Sequence, residues 1–154
     1  MRLSQTNPTD QLELGYRPGH LIWRAQQRAW RVFREEAGDM AVTPVQASII
    51  LVIAFQPGID QQTLARAVAL DKATTGNVVA RLVEQGLIVR TVNATDKRAK
   101  ALHLTSAGRR LNVKLGKVTQ RARERLIEAL DAKEQAMLVR LLRKIACLDD
   151  ANPP

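Results

Sequence analysis

The run DKATTGNVVARLVEQG at residues 71–86, continued by LIVRTVNATDKRAKALHLT at 87–105, decides how this chain folds. At about 100° per residue, Thr75, Val78, Val79, Leu82 and Val83 fall on one apolar stripe. Ala73, Thr74, Asn77, Ala80, Arg81 and Glu84 make the opposite face. Asp71 is the residue type that caps such a helix, and Gly86 the type that ends it. Just upstream, Asp60 caps a second short helix, read as Gln61 to Ala69, with Leu64, Ala65 and Val68 inward. Two short helices across a tight turn, the second with a small polar face, make the helix-turn-helix pattern. Many all-helical proteins share that pattern, so the residues that follow it carry the decision.

Leu87 to Val92 is short and β-branched, and Ala101 to Thr105 alternates apolar and polar side chains. Between them lies the polar, basic loop NATDKRAK, residues 93–100. This predicts a β-hairpin with a charged tip directly after the candidate recognition helix. Helix-turn-helix plus basic hairpin is a winged helix. The fold class is therefore mainly α with a small β-hairpin wing.

Outward from this lobe the chain reads as helices. The first fifteen residues form a loose arm. A helix begins at Arg17, with Pro18 tolerated in its first turn, and Trp23, Trp30, Phe33 and Ala37 follow one face. Thr43-Pro44-Val45-Gln46 combines a Thr cap, Pro at the first helical position and Gln at the capping-box position. The helix it opens, to Phe55, is apolar almost all round and belongs in the centre. From Thr105 a long helix runs to about Leu130, with Leu111, Leu115, Val118, Ala122 and Leu126 on one face. Asp131-Ala132-Lys133-Glu134 opens the last helix, where Leu138, Leu141, Leu142, Ile145 and Leu148 recur at helical spacing. The expected organisation is an arm at 1–15, an N-terminal dimerisation helix at 16–42 and the winged helix-turn-helix lobe at 43–106. C-terminal dimerisation helices at 107–148 and a tail at 149–154 complete it. So small a lobe cannot bury the apolar faces of all the flanking helices, and a second subunit is their natural cover. A two-fold dimer would present two recognition helices to an inverted repeat with centres about 34–36 Å apart.

The 154 residues are 45 % apolar with only five aromatics, which gives an aliphatic core suited to helix packing. Lys and Arg number 24 against 15 Asp and Glu, a net charge of +9. Residues 90–125 hold eleven cations and two acids, so the whole excess belongs to one stretch. Clustering of this kind is the electrostatic footprint of a phosphate-binding surface. The single Cys147 excludes an internal disulfide and a cysteine zinc site, and His20 and His103 lie too far apart to pair on a helix. No metal or cofactor is expected. No apolar run is long enough for a membrane span, and the polar N-terminus does not read as a secretory signal. The chain reads as cytoplasmic. No Cys–His or paired-carboxylate set and no glycine-rich phosphate loop is present, so the chain is not read as an enzyme.

The segments LARAVALDK (64–72), VVARLVEQGLI (78–88), TDKRAK (95–100) and LTSAG (104–108) together resemble the MarR family of transcription regulators. The similarity covers roughly residues 17 to 148. The family's Asp-x-Arg wing signature falls on Asp96 and Arg98. The resemblance implies a homodimer with one winged helix-turn-helix per subunit, most often a repressor relieved by a small ligand or by oxidation. The peroxide-sensing branch uses a Cys near the N-terminus, which this chain lacks. Asn77 and Gly76 stand where the family often has Arg and Ser or Thr, so base preference does not carry over. Gly76 would weaken its helix by about 1 kcal/mol relative to Ala, a concession that close backbone approach to DNA would explain.

Within that frame Arg98 is the candidate for the minor groove, where negative potential concentrates, and Asp96 the residue that holds it. Thr74, Asn77 and Arg81 are candidate base readers in the major groove. Arg81 serves equally as a phosphate contact or a salt-bridge partner. Lys72, Lys97 and Lys100 are candidate phosphate contacts, which position the protein without specifying sequence. Arg109 and Arg110 are either further phosphate contacts or a solvated helix start. Family ligands commonly bind between the dimer helices and the lobe. On the first helix, His20, Trp23 and Arg24 would suit a small aromatic carboxylate, with burial of Trp23 in a dimer core as the rival reading. The expected function is a homodimeric repressor of an inverted-repeat operator in double-stranded DNA, released by such a ligand. A ligand-independent regulator or DNA-organising protein is the alternative, and a protein-binding winged helix the alternative from another class.

Overall fold

The computed structural model of the chain describes residues 14–92 and 100–148. A 3-10 turn at Leu14–Tyr16 leads into helices α1 (Pro18–Ala37) and α2 (Pro44–Phe55). Strand β1 (Ile59–Asp60), helices α3 (Gln61–Ala67) and α4 (Lys72–Glu84), and strands β2 (Ile88–Val92) and β3 (Lys100–Leu104) follow. Helices α5 (Ser106–Leu126) and α6 (Ala132–Ile145) end the fold. The mainly helical architecture with a hairpin wing is the one the sequence predicts.

Capping chemistry sets the helix starts. Thr43 Oγ1 accepts from the Gln46 amide at 3.2 Å while Gln46 Oε1 accepts from the Thr43 amide at 2.9 Å. Asp131 and Glu134 form the same reciprocal pair at α6. Each box satisfies helix N–H groups that would otherwise lack partners.

Three helices end in one motif, and only one of them uses glycine. Ala69, Gly86 and Cys147 all take positive φ, at 53°, 67° and 53°. In each case the next amide bonds back five residues: Leu70 to Ala65, Leu87 to Leu82 and Leu148 to Arg143. This is the Schellman closure, and it ends α3 two residues before the predicted Ala69. Helix α5 likewise stops at Leu126, short of the predicted Leu130. There the Gln135 side chain captures the carbonyls of Leu130 at 2.9 Å and Ile127 at 3.4 Å, holding residues 127–130 as a turn.

The sheet is antiparallel in the order β1-β3-β2. Ile59 pairs with Leu102, and Ile88 to Val92 pair with Leu104 back to Lys100. Sequence reading misses β1, because two residues cannot display a period of two and Asp60 already reads as a cap. It does both: its backbone pairs with Ala101 while its carboxylate accepts from the Gln62 and Thr63 amides, each at 2.9 Å.

Helix α2 is central, with Ala47, Ile49, Ile50 and Ile53 buried among Leu64, Val79, Leu82, Ile88, Leu102 and Leu115. Burial of about ten aliphatic side chains, each contributing about 1.5–3 kcal/mol, supplies the main cohesion of the lobe. Helix α1 packs on α5 through its second half, where Val32, Phe33 and Ala37 are buried. The apolar face of α1 is covered within one chain only over its second half. Trp30 is half-buried and Trp23 is 55 % exposed, and among the described residues positions 21–28 are exposed throughout. Helix α6 has no buried residue, and Leu141, Leu142, Ile145 and Leu148 face outward.

The start of α5 locks onto the base of the wing. Thr105 donates from its amide to the Leu87 carbonyl at 3.0 Å and from its hydroxyl to the Gly86 carbonyl at 2.6 Å. Gly108 lies directly beneath, and a Cβ there would overlap the Leu87 carbonyl oxygen. The Leu-Thr-Ser-Ala-Gly segment thus has a steric reason.

Candidate nucleic-acid interface

Helix α4 is oriented by its buried side. Thr75, Val79 and Leu82 are buried, with Val78 and Val83 packed partly against the same core. The opposite side is then exposed and carries Thr74, Asn77 and Arg81, while Lys72 is exposed in the first turn, on the angular sector of Val79 and Val83. At 1.5 Å per residue these four span about 13 Å of helix, a length that matches a major groove about 12 Å wide. The structure brings Thr74, Asn77 and Arg81 onto one face, with Lys72 at its N-terminal end. No ion pair involves Arg81 among the described residues, so the salt-bridge reading of that residue finds no partner.

The N-terminus of α4 is fixed by Asp71, whose Oδ1 accepts from the Thr74 amide at 2.8 Å. Its Oδ2 accepts from the Thr74 hydroxyl at 2.6 Å. These two bonds, the hydroxyl one first, hold the Asp71 carboxyl below its ordinary range. Thr74 therefore has its only hydroxyl proton engaged. It can offer a base edge lone pairs and its methyl group. Asp60 does for α3 what Asp71 does for α4, with Thr63 as donor, and its carboxyl is lowered for the same reason.

Gly76 also faces a neighbour within the protein. A Cβ there would stand 3.1 Å from Gln61 Nε2, so the close approach is between α4 and the first residue of α3. Gln61 Oε1 also receives a long contact of 3.5 Å from Arg90 on β2. Gln61 thus sits between the recognition helix and the wing, and Arg90 is an exposed cation beside α4 that the sequence reading did not single out. Its only signal was its place on the outward side of a strand.

Lys100 is exposed opposite Val92, at the last rung of the ladder. Asp96, Lys97 and Arg98 lie outside the described residues. Arg109 is tied to the wing base, donating to the Leu104 carbonyl at 2.9 Å and to Ser106 Oγ at 3.0 Å. Further along α5, Arg121 and Arg125 hold Glu36 at 2.8 and 2.7 Å, and Arg125 also holds Glu35 at 2.9 Å. The cations of residues 90–125 therefore divide between outward charge and internal pairing.

His20 and Trp23 meet, with ring centroids 6.0 Å apart. Trp23 and Arg24 line an open groove of about 570 Å³ along α1, which His20 does not line. The cleft between the winged lobe and α5 is elsewhere, with a volume of about 340 Å³. Its walls include Ile53, Ala54, Leu104 and Val113, with His103, Arg109 and Asn112 as polar groups. Asn112 Oδ1 is buried and has no hydrogen-bond partner among the described residues. Among those residues no group of three or more His, Cys, Asp or Glu could hold a metal ion, and no helix is long and apolar enough to cross a membrane.

A helix-turn-helix with an outward polar face, followed by a two-stranded wing that joins β1 in one sheet, defines a winged-helix DNA-binding protein. Comparison with known proteins gives the family. Residues 42–99 match the model of the MarR family. The chain is 33 % identical to the transcriptional regulator HosA of Escherichia coli O157:H7 over 126 residues, covering 82 % of this chain and 92 % of HosA. Among solved structures, the PcaV transcriptional regulator of Streptomyces coelicolor, in complex with its natural ligand, superposes with a TM-score of 0.79 at 29 % identity. That match covers 95 % of this chain and 99 % of PcaV. The transcriptional repressor CouR, bound to a 23-mer DNA duplex, gives 0.79 at 30 % identity over 87 % of this chain and 95 % of CouR. The chain belongs to the MarR family of transcriptional regulators.

Proposed function

We propose that this regulator is a homodimeric repressor that binds an inverted-repeat operator and leaves it when a small aromatic carboxylate binds. The observation that carries the reading is a division of surfaces. One surface presents the exposed α4 face with Thr74, Asn77 and Arg81, Lys72 at the helix start, and Arg90 and Lys100 of the wing. The other presents the uncovered apolar faces of α6 and the first half of α1. Residues 43–106 act as the DNA-binding lobe, with 16–42 and 107–148 as the dimerisation helices, in the cytoplasm. Asn77, Thr74 and Arg81 read bases, Lys72, Lys97 and Lys100 hold phosphates, and Arg98, steadied by Asp96, enters the minor groove.

For the effector, the interlobe cleft is better built than the α1 cluster of His20, Trp23 and Arg24. It has apolar walls, and the Asn112 carbonyl oxygen awaits a donor. Arg109 supplies the cation for a carboxylate, so the cleft suits an aromatic acid with a hydroxyl or amino group. PcaV holds its natural ligand in a related fold, which supports this reading.

Fluorescence anisotropy on DNA upstream of the protein's own gene, against scrambled duplex and across a salt series, tests the reading. Selective binding that Arg98→Ala weakens is expected, together with loss of the dimer in Leu141→Glu/Ile145→Glu. Hydroxybenzoates should release the duplex from the wild type and act more weakly on Asn112→Ala. Equal binding to both duplexes would point to an architectural role, and release by no aromatic acid to a ligand-independent regulator.

A further inference from the structure

One side chain bridges the recognition helix and the wing. Gln61, the first residue of α3, places its Nε2 3.1 Å from where a Gly76 Cβ would stand on α4. Its Oε1 meets Arg90 Nη2 of β2 at 3.5 Å. A side chain at position 76 would crowd that carboxamide, and glycine keeps the space open although it weakens a helix interior. The Gln61 NH2 group has no acceptor among the described residues. Arg90 and Val92 alternate with Val89 and Thr91, and Lys100 pairs with Val92, so Arg90 and Lys100 share one face of the hairpin. Both are exposed, with no ion-pair partner among the described residues. None of these side chains belongs to a helix assigned above to the dimer.

We infer that Gln61 and Arg90 together grip the DNA backbone, on the strand that runs between the major groove filled by α4 and the minor groove reached by the wing. The inference rests on the duplex-binding reading above and adds to it a contact made by neither the recognition face nor the wing tip. Neighbouring major and minor grooves are divided by a single sugar–phosphate strand. A protein with one element in each groove must let that strand pass between the two. Helix α4 packs against both α3 and β2, so the passage is closed at its base by the Gln61–Arg90 contact. What it presents there is a guanidinium and a carboxamide NH2, both donors, and phosphate oxygens are the acceptors that suit them. Arg90 supplies the charge. Gln61 is the positioning residue, since its Oε1 steers the guanidinium toward α4 while its NH2 adds a second donor. Such a contact sets the depth and angle at which α4 enters the groove and does not itself read bases.

The test uses the full-length protein and fluorescein-labelled duplex from upstream of its own gene, beside a scrambled duplex, read by anisotropy across a salt series. Arg90→Gln should weaken both duplexes about tenfold and lower the salt slope by about 0.9, the share of one phosphate on B-form DNA. Arg90→Lys should keep the wild-type slope. Gln61→Ala should weaken both duplexes about fivefold, the worth of one hydrogen bond, and leave the slope unchanged because an amide carries no charge. Gly76→Ala should weaken binding by a similar factor while raising the urea midpoint, since alanine favours the helix. Those opposite movements separate a DNA contact from a folding defect. In a Gln61→Ala background, Gly76→Ala should cost no further affinity. The inference fails if Arg90→Gln keeps the wild-type slope, or if Gln61→Ala leaves both affinities unchanged. It also fails if Gly76→Ala weakens binding equally with and without Gln61, since the glycine would then meet DNA itself. Salt slopes are read on either duplex, so loss of operator preference would overturn the repressor and leave this contact standing, and an unchanged slope would do the reverse.

Discussion

Glu36 and Arg121 are joined by a 2.8 Å ion pair that bridges α1 and α5, and Arg125 reaches the other Glu36 oxygen at 2.7 Å. Hydrogen bonds from Arg121 first and Arg125 second hold the Glu36 carboxyl below its ordinary value of 4.5. A depressed folded-state pKa stabilises the fold above the unfolded-state value, and that contribution is lost as pH falls through the folded one. The urea midpoint should therefore fall on acidification below 4.5. Glu36→Gln should start from a lower midpoint at neutral pH and lose part of that acid dependence. Equal pH profiles for the two proteins would show that the clamp is not coupled to folding.

Two glycines of α5 should respond oppositely to alanine. Gly108 has the Leu87 carbonyl where a Cβ would go, whereas nothing stands within 4 Å of a Cβ at Gly116. Gly108→Ala should destabilise by about 3 kcal/mol through forced overlap at the wing base. Gly116→Ala should stabilise by about 0.8–1 kcal/mol through helix propensity. Chemical denaturation of both variants measures the contrast.

The helix ends at Ala69 and Cys147 hold left-handed backbone on residues with a Cβ. Ala69→Gly and Cys147→Gly should each stabilise by about 1 kcal/mol. Differential scanning calorimetry would register each as a higher melting temperature. A loss of stability in either would show that its side chain makes a contact worth more than the strain.

On the recognition helix, Asn77→Ala should reduce the preference for operator over scrambled duplex by about 1–3 kcal/mol and leave the salt slope unchanged. Lys100→Ala should weaken both duplexes alike and lower the salt slope by about one. Asp71→Ala should cost about 1 kcal/mol of stability through the lost cap. Anisotropy on both duplexes and urea titration separate these three effects.

Much of this was legible in the sequence, for reasons that differ by element. The caps at Thr43, Asp60, Asp71 and Asp131 are local chemistry, and local chemistry can be read from a few neighbouring residues. The exposed face of α4 follows from a clear apolar stripe. What escaped depends on distant partners. The closeness of Gly76 to Gln61, fifteen residues earlier, cannot be read locally, and the early end of α5 needs the amide of Gln135. The charge map escaped for the same reason: Arg121 and Glu36 are 85 residues apart, and only their meeting shows which arginines stay outward. Periodicity places Trp23 on an apolar face but does not report that it stays exposed among the described residues of one chain.

The wing is graded along its length. At its root Ile88, Leu102 and Leu104 are buried, and Thr105 and Gly108 bolt it to α5. From Val89 to Val92 every residue of β2 is exposed, up to the rung of Val92 and Lys100. Tolerance to substitution should rise steadily from root to tip. The outer rungs can then change sequence freely while the inner ones keep the framework intact. A single short hairpin thus keeps inheritance of the fold apart from drift at its surface.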